Sequence, residues 1–252
     1  MLDFVSSGGR ITADEVQYRS ARLPRAMFGG TALAGVGYLK RVVDFGAGVS
    51  HSGEVYSASL PDGVRFEADR GGFVNTLCMV AERFVDDEYA WLDVAGHVVI
   101  DVGANIADSV IYFARRGAAF VYGYEPNPEA FAAATHNLEL NGVRDAEVAP
   151  LTVASEVRRP GDVAFTDVLD RARHGHAGAT VVCKIDCEGC EYEIFAPASL
   201  PDGALDRVSQ VMIEYHHRPP DPIVGTLEQR GFSVETSTGA PGVGWIRARR
   251  RA

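Results

Sequence analysis

Two clusters of side chains in this sequence have the types and spacing that site chemistry needs. The first is Asp101, Gly103, Ala104 and Asn105, within the run Val99-Ile100-Asp101-Val102-Gly103-Ala104-Asn105. A glycine in the turn that leaves a strand lets the backbone approach a ligand without a Cβ clash, and a following helix presents free N–H groups. Glu125 stands at the end of the next apolar run, about 20 residues on, where a carboxylate accepts hydrogen bonds from both hydroxyls of a ribose. The second cluster is Asp186, Glu188 and Glu191, with Glu214-Tyr215-His216-His217 further along the chain. Carboxylates gathered at a strand's carboxyl end orient an acceptor hydroxyl, take its proton or coordinate a divalent ion. A histidine beside them suits a general base. Adjacent strand residues point to opposite faces, so only one of His216 and His217 enters a site, and His216 is the expected one. The competing role for Glu188 and Glu191 is to complement the dipole of the helix that follows them.

A strand, a glycine turn, a helix and a later acid fit either a nicotinamide dinucleotide or S-adenosylmethionine. The dinucleotide fingerprint needs three glycines to cradle a pyrophosphate. Here Asn105 and Ala107 stand where the second and third would be, which favours the phosphate-free cofactor.

These blocks, together with Tyr124-Glu125-Pro126-Asn127-Pro128, the stretch Asn137 to Asn141 and Lys184-Ile185-Asp186-Cys187-Glu188-Gly189-Cys190-Glu191, resemble the FkbM-type S-adenosylmethionine-dependent methyltransferases over roughly residues 60–235. The resemblance implies that Asp101, Gly103 and Asn105 line the methionine end of the cofactor, flanked by Ala104, and that Glu125, beside Pro126, holds the ribose. The chemistry of the second cluster makes Asp186, Glu188 and His216 the expected catalytic set, and the resemblance implies a small-molecule or sugar hydroxyl as acceptor. Ala107 departs from the family's usual glycine. No metal is expected at the site; a Mg²⁺ ion held by Asp186 and His216 is the less favoured reading. The alternatives are a ribose hydroxyl of RNA as acceptor, a cofactor-binding module without turnover, and a dinucleotide oxidoreductase.

Cys183, Cys187 and Cys190 have the spacing of an iron–sulfur triad. However, the set begins inside a strand and overlaps the second block, so site-lining or buried thiols are expected, with a redox or zinc role for the Cys187–Cys190 pair the less favoured reading. His174 and His176, in a glycine-flanked loop, read as solvated surface.

The elements that position these residues alternate. Apolar runs at 97–102, 119–124, 147–153, 180–185, 208–215, 231–236 and 243–249 read as strands, with helical segments at 106–116, 128–141 and 166–172. That alternation predicts an α/β fold with a doubly wound, mostly parallel seven-stranded sheet, Rossmann-like in the manner of methyltransferases. Ligands then bind at the carboxyl ends of the strands. Before it, residues 1–95 read as an N-terminal α+β attachment: a helix over 13–28 interrupted at Pro24, a hairpin about Pro61-Asp62-Gly63 and a helix over 75–92. Residues 96–252 are the expected cofactor-binding domain.

With 252 residues, 46% of them hydrophobic, the chain can bury a large core. The formal charge of −10 argues against nonspecific nucleic-acid binding. Arg247, Arg249, Arg250 and Arg251 form a local basic cluster that reads as a frayed tail. The first residues lack the pattern of an export signal and no run is long enough to span a membrane, so a cytoplasmic location with reduced cysteines is expected.

Overall fold

The computed structural model describes residues 2–12, 14–28, 32–239 and 242–251, with the side chains of 2 and 32–34 left out. It divides into two compact units, residues 1–90 with 133–142, and residues 91–132 with 143–252.

In the second unit, β1 (Val98–Val102), β2 (Phe120–Tyr124), β3 (Ala146–Ala149), β4 (Val181–Ile185), β5 (Val208–His216), β6 (Phe232–Thr238) and β7 (Val243–Arg250) form one sheet. Their order is β3-β2-β1-β4-β5-β7-β6. All neighbours are parallel except those involving β7, which runs antiparallel between β5 and β6. Every residue of β1 and β4 is buried, as expected of central strands covered on both faces. The chain moves one way from β1 to β3 and then restarts on the other side at β4. The β1–β4 junction is therefore the topological switch point, where the carboxyl ends open a crevice. Helix α1 (Asp108–Arg115) follows β1, and α2 (Phe165–Gly175) packs on the core through Phe165, Val168, Leu169 and Ala172.

The seven strands match the expected sheet, with two local differences. The 147–153 run splits at Pro150, which has no N–H to donate to a ladder. Thr152–Ala154 leaves the large sheet and pairs instead with Asp162–Ala164. The C-terminal arginines are not a frayed tail. Arg247, Arg249 and Arg250 lie in β7, and the Arg250 guanidinium donates to the carbonyls of Val208 (2.9 Å) and Leu205 while stacking over the Phe232 ring.

The first unit corrects the reading of residues 13–28. Ala13 and residues 29–31 lie outside the described residues, but Glu15–Tyr18 and Ala21–Pro24 are antiparallel strands. Val16, Tyr18, Ala21 and Leu23 are buried at a spacing of two, and Arg19 turns the chain with φ 51°. The period there is that of a sheet, not a helix. A helix over Ala32–Asp44 buries Val36, Leu39, Val42 and Val43. A second three-stranded sheet comprises Gly48–Ser52, Val55–Ser59 and Arg65–Ala68, so the expected hairpin gains a strand. The helix expected over 75–92 covers Phe73–Val80, continues as a π turn to Val85, and stops before Asp87 at φ 57°. Asn137 and Asn141 fasten the strand Arg65–Ala68: Glu67 N donates to Asn137 (3.1 Å), and Asn141 exchanges two hydrogen bonds with the Arg65 backbone. No helix among the described residues is long and apolar enough to cross a membrane.

Replacing Arg250 by Leu is expected to lower stability by about 2 kcal/mol, the scale of losing charged hydrogen bonds to buried carbonyls. Urea denaturation measures this, and an unchanged midpoint would show that the basic terminus adds nothing to the sheet.

Candidate functional site

The crevice at the switch point is a cavity of ≈ 250 Å³. Gly103, Glu125 and Pro126 line it on one side, Asp186, Glu188 and the two cysteines beside them on another, and Leu151 to Val153 on a third.

Its floor is built by local geometry at the end of β1. Gly103 N and Ala104 N both donate to Tyr124 O at 3.0 Å. Gly103 has φ +82°, and a Cβ there would lie 1.8 Å from the Asp186 carbonyl oxygen. Its glycine is therefore demanded by the approach of β4 as well as by the turn. Glu125 closes the other side: Oε2 accepts from Asn105 N (2.9 Å) and Oε1 from Asn127 N (2.8 Å). Each oxygen keeps a lone pair for a further donor. Ala107, in place of a glycine, sits in the left-handed region at φ 65°.

Asp101 is positioned differently from the expectation that it lines the cofactor. Its carboxylate is fully buried beneath the turn, with Oδ2 accepting from Ser109 Oγ and Oδ1 2.9 Å from the Lys184 ammonium. Ala104 is also enclosed. Lys184, which the sequence reading quoted without assigning a role, is buried in register with Asp101. It donates to Gly103 O at 2.7 Å. The pair ties the carboxyl ends of the two central strands together. Its sequence signal was a lone lysine in an otherwise apolar strand.

Asp186, Glu188 and His216, drawn from two strand ends, come together as expected. His216 Nε2 lies 3.9 Å from Asp186 Oδ1 and 3.7 Å from Glu188 Oε2. His216 is buried, with a side chain only 6% exposed, whereas Glu188 is 76% exposed. Glu191, fully buried, anchors this corner: Oε1 accepts from His216 N (2.9 Å) and faces Nδ1 at 3.5 Å, while Oε2 accepts from Gly189 N (2.7 Å). His217 turns away at φ 65° and donates its N–H to Gly242 O.

The cysteine expectation is corrected. Cys187 and Cys190 form a disulfide across the turn that carries Glu188, with Cα atoms 5.6 Å apart. Positive φ at Glu188 and Gly189 curls the four-residue segment enough to bring the two sulfurs together. Cys183 and Cys78 are thiols. Burial pushes Cys183 up to about 12 and Cys78 up to about 11, so neither offers a reactive thiolate at neutral pH. His174 holds the Asp170 carbonyl within its own helix, and His176 packs against Phe120 and Tyr122.

A second cavity of ≈ 540 Å³, lined by Tyr192, Phe195, Pro197, Arg218, Pro222 and Ile223 among others, is built from residues that directly follow Glu191 and His217.

Two outcomes test this description. Lys184→Met is expected to cost about 3–5 kcal/mol, because it leaves the Asp101 charge buried without its partner. Adding Asp101→Leu should recover part of that loss in urea denaturation; a double variant no better than the single one would remove the clamp. Thiol titration of the native chain in non-reducing buffer should find no fast-reacting group, with two thiols on denaturation and four after reduction.

No family model matches the chain. Over 183 residues it is 28% identical to a tRNA wybutosine-synthesizing protein 2 homolog of Danio rerio, spanning 69% of this chain and 38% of that protein. The Mus musculus homolog is 36% identical over 89 residues, 34% of this chain and 19% of that protein. The chain thus spans well under half the length of the curated relatives it matches. Among solved structures, a magnesium protoporphyrin IX methyltransferase from Synechocystis PCC 6803 with bound SAM is 15% identical, with 93% of this chain and all of that one covered at a TM-score of 0.43. An O-methyltransferase family protein from Burkholderia thailandensis is 14% identical, with 73% and 60% covered at 0.45.

Proposed function

We propose that this chain binds S-adenosylmethionine in the crevice between β1 and β4 and transfers its methyl group to an acceptor placed against Asp186. The observation that carries this reading is the charge of the crevice. Its wall holds Glu125, Asp186 and Glu188. The Lys184 ammonium is already engaged by Asp101 and Gly103 O. Such a site suits a cationic, phosphate-free ligand and repels a pyrophosphate. One unit charge facing another at about 6 Å is worth about 3 kcal/mol at an effective dielectric near 20.

Bound there, S-adenosylmethionine would supply a methyl group already activated by its sulfonium. The residues do the rest. Glu125, with one lone pair left on each oxygen, accepts from the two ribose hydroxyls. Leu151, Thr152 and Val153 supply the wall for the adenine, which the sequence had left without a contact. Asp186 orients the acceptor hydroxyl and takes its proton as the methyl moves from sulfur to oxygen, with His216 backing the carboxylate.

The acceptor we favour is a hydroxyl of a small molecule or sugar, in keeping with the acidic wall and with the apolar cavity beside Tyr192 and Arg218. The two motif blocks support an FkbM-type reading. A second acceptor class, transfer RNA, is favoured by the likeness to wybutosine-synthesizing proteins over two thirds of the chain. It runs against the net charge of −10.

Calorimetry with S-adenosylmethionine and NAD, followed by labelled methyl transfer to a sugar and phenol panel and to a tRNA pool, tests the reading. Binding of the first ligand alone is expected, with Glu125→Ala weaker by roughly 1–3 kcal/mol and Asp186→Asn losing turnover far more than affinity. Binding of NAD in its place would sink the proposal, and label appearing only in tRNA would select the second acceptor.

A further inference from the structure

A histidine nitrogen and two carboxylate oxygens converge at the corner of the crevice. His216 Nε2 is 3.7 Å from Glu188 Oε2 and 3.9 Å from Asp186 Oδ1. These gaps are too long for hydrogen bonds, and Nδ1 is a buried atom without a hydrogen-bond partner among the described residues. The imidazole is more than nine-tenths buried and aimed at the two carboxylates. Glu191 Oε1 faces its Nδ1 at 3.5 Å while being held in place by the backbone N–H groups of His216 and, through Oε2, Gly189. With a carboxylate facing Nδ1, the neutral tautomer protonated on that nitrogen is the one whose Nε2 can ligate a metal.

We propose that Asp186, Glu188 and His216 form a site for one divalent cation. The donor atoms all lie within 4.8 Å of one another. An ion about 2.1 Å from each of two donors holds them roughly 3–4 Å apart, and the two spacings from His216 Nε2 fall in that range. One imidazole and two carboxylates, with the remaining positions open toward the crevice, suit Mn²⁺ or Zn²⁺ better than a thiolate-seeking metal. The neighbouring sulfurs do not compete, because Cys187 and Cys190 are joined. The nearest fixed cation, Lys184, is 3.9 Å from Asp186 Oδ2 and is already paired with Asp101. Asp186 and His216 sit on the rigid ends of β4 and β5, whereas Glu188 projects into solvent and supplies the adjustable third ligand.

The consequence for chemistry rests on the methyl-transfer reading. A cation here would bind the acceptor oxygen, lower its pKa and send its proton to solvent, and Asp186 would then be a ligand and not the base. The site itself does not depend on that reading.

Mn²⁺ alone, titrated into the whole chain in non-reducing buffer, separates the two. Electron paramagnetic resonance of free Mn²⁺ and calorimetry should report one saturable site. His216→Gln and Asp186→Asn should each weaken it at least tenfold, and Glu191→Gln should weaken it through the ring it positions. Glu188→Gln, at an exposed position that cannot compromise folding, should weaken it measurably. No saturable binding below millimolar Mn²⁺ would overturn the proposal. Binding unchanged by Glu188→Gln and by either folded variant of the buried pair would also overturn it, since it would place the ion on surface carboxylates. S-adenosylmethionine binding measured without metal reports separately on the cofactor site, so either idea can fail while the other stands.

Discussion

The ion pair between Lys184 and Asp101 is the constraint on which the crevice depends. Both groups sit inside fully buried strands, where either charge alone would be very costly to desolvate. The parallel register of β1 and β4 sets them side by side, and the same ammonium takes the Gly103 carbonyl. Asp186 N donates to Val102 O on the same seam. The strands are thus locked together at their carboxyl ends, where a purely apolar pairing would leave the exit direction of each chain less determined. The lock also explains the glycine. With β4 drawn this close, position 103 faces the Asp186 carbonyl and has no room for a side chain.

A second anchor, Glu191, extends the same logic one strand further. It ties the turn after β4 to the last residue of β5 by accepting from Gly189 and His216. Between these two anchors the backbone is unusually bent. Of the six described non-glycine residues with positive φ, four (Asn105, Ala107, Glu188 and His217) lie at the carboxyl ends of β1, β4 and β5. Such conformations persist only where surrounding contacts over-determine them. The concentration of strain at one edge of the sheet marks that edge as the place where local stability has been given up for position.

Much of this was legible in the residues, and the reasons for the exceptions are physical. Runs such as Val98–Val102 and Val181–Ile185 read as central strands because both faces are apolar, and the acids at their ends marked the crevice. The segment 15–24 was misread because its period of two, Val16-Tyr18 and Ala21-Leu23, is only four residues long on each side of the turn, too short to compete with a helical pattern. Asp101 carried a motif's ligand role, but its surroundings depend on Lys184, 83 positions away, and pairing across strands is invisible to local spacing. The Cys187–Cys190 bond was hidden for a similar reason. The segment curls through positive φ at both Glu188 and Gly189, and a glutamate does not announce the first of these. Arg250 looked like tail charge because nothing in a run of arginines tells which one reaches back to a buried carbonyl.

The charge of the site then narrows what can enter it. A dinucleotide site needs donors: backbone N–H groups and often a basic side chain aimed at phosphate. Here the turn N–H groups of Gly103, Ala104 and Asn105 are taken by Tyr124 O and Glu125. Lys184, one of only two lysines in the chain, is neutralised from below. The charged groups that face the crevice are all acceptors, from Glu125 at one end to Asp186 and Glu188 at the other. Acceptors match hydroxyls, ammonium and sulfonium groups, and metal cations. The same electrostatic argument therefore covers both ends of the site: hydrogen-bond donors suit Glu125, and positive charge suits the Asp186 corner. A phosphate-bearing molecule would have to bring its own counterions past that wall. For that reason the acid corner, more than the glycine turn, sets the charge of what the crevice can hold.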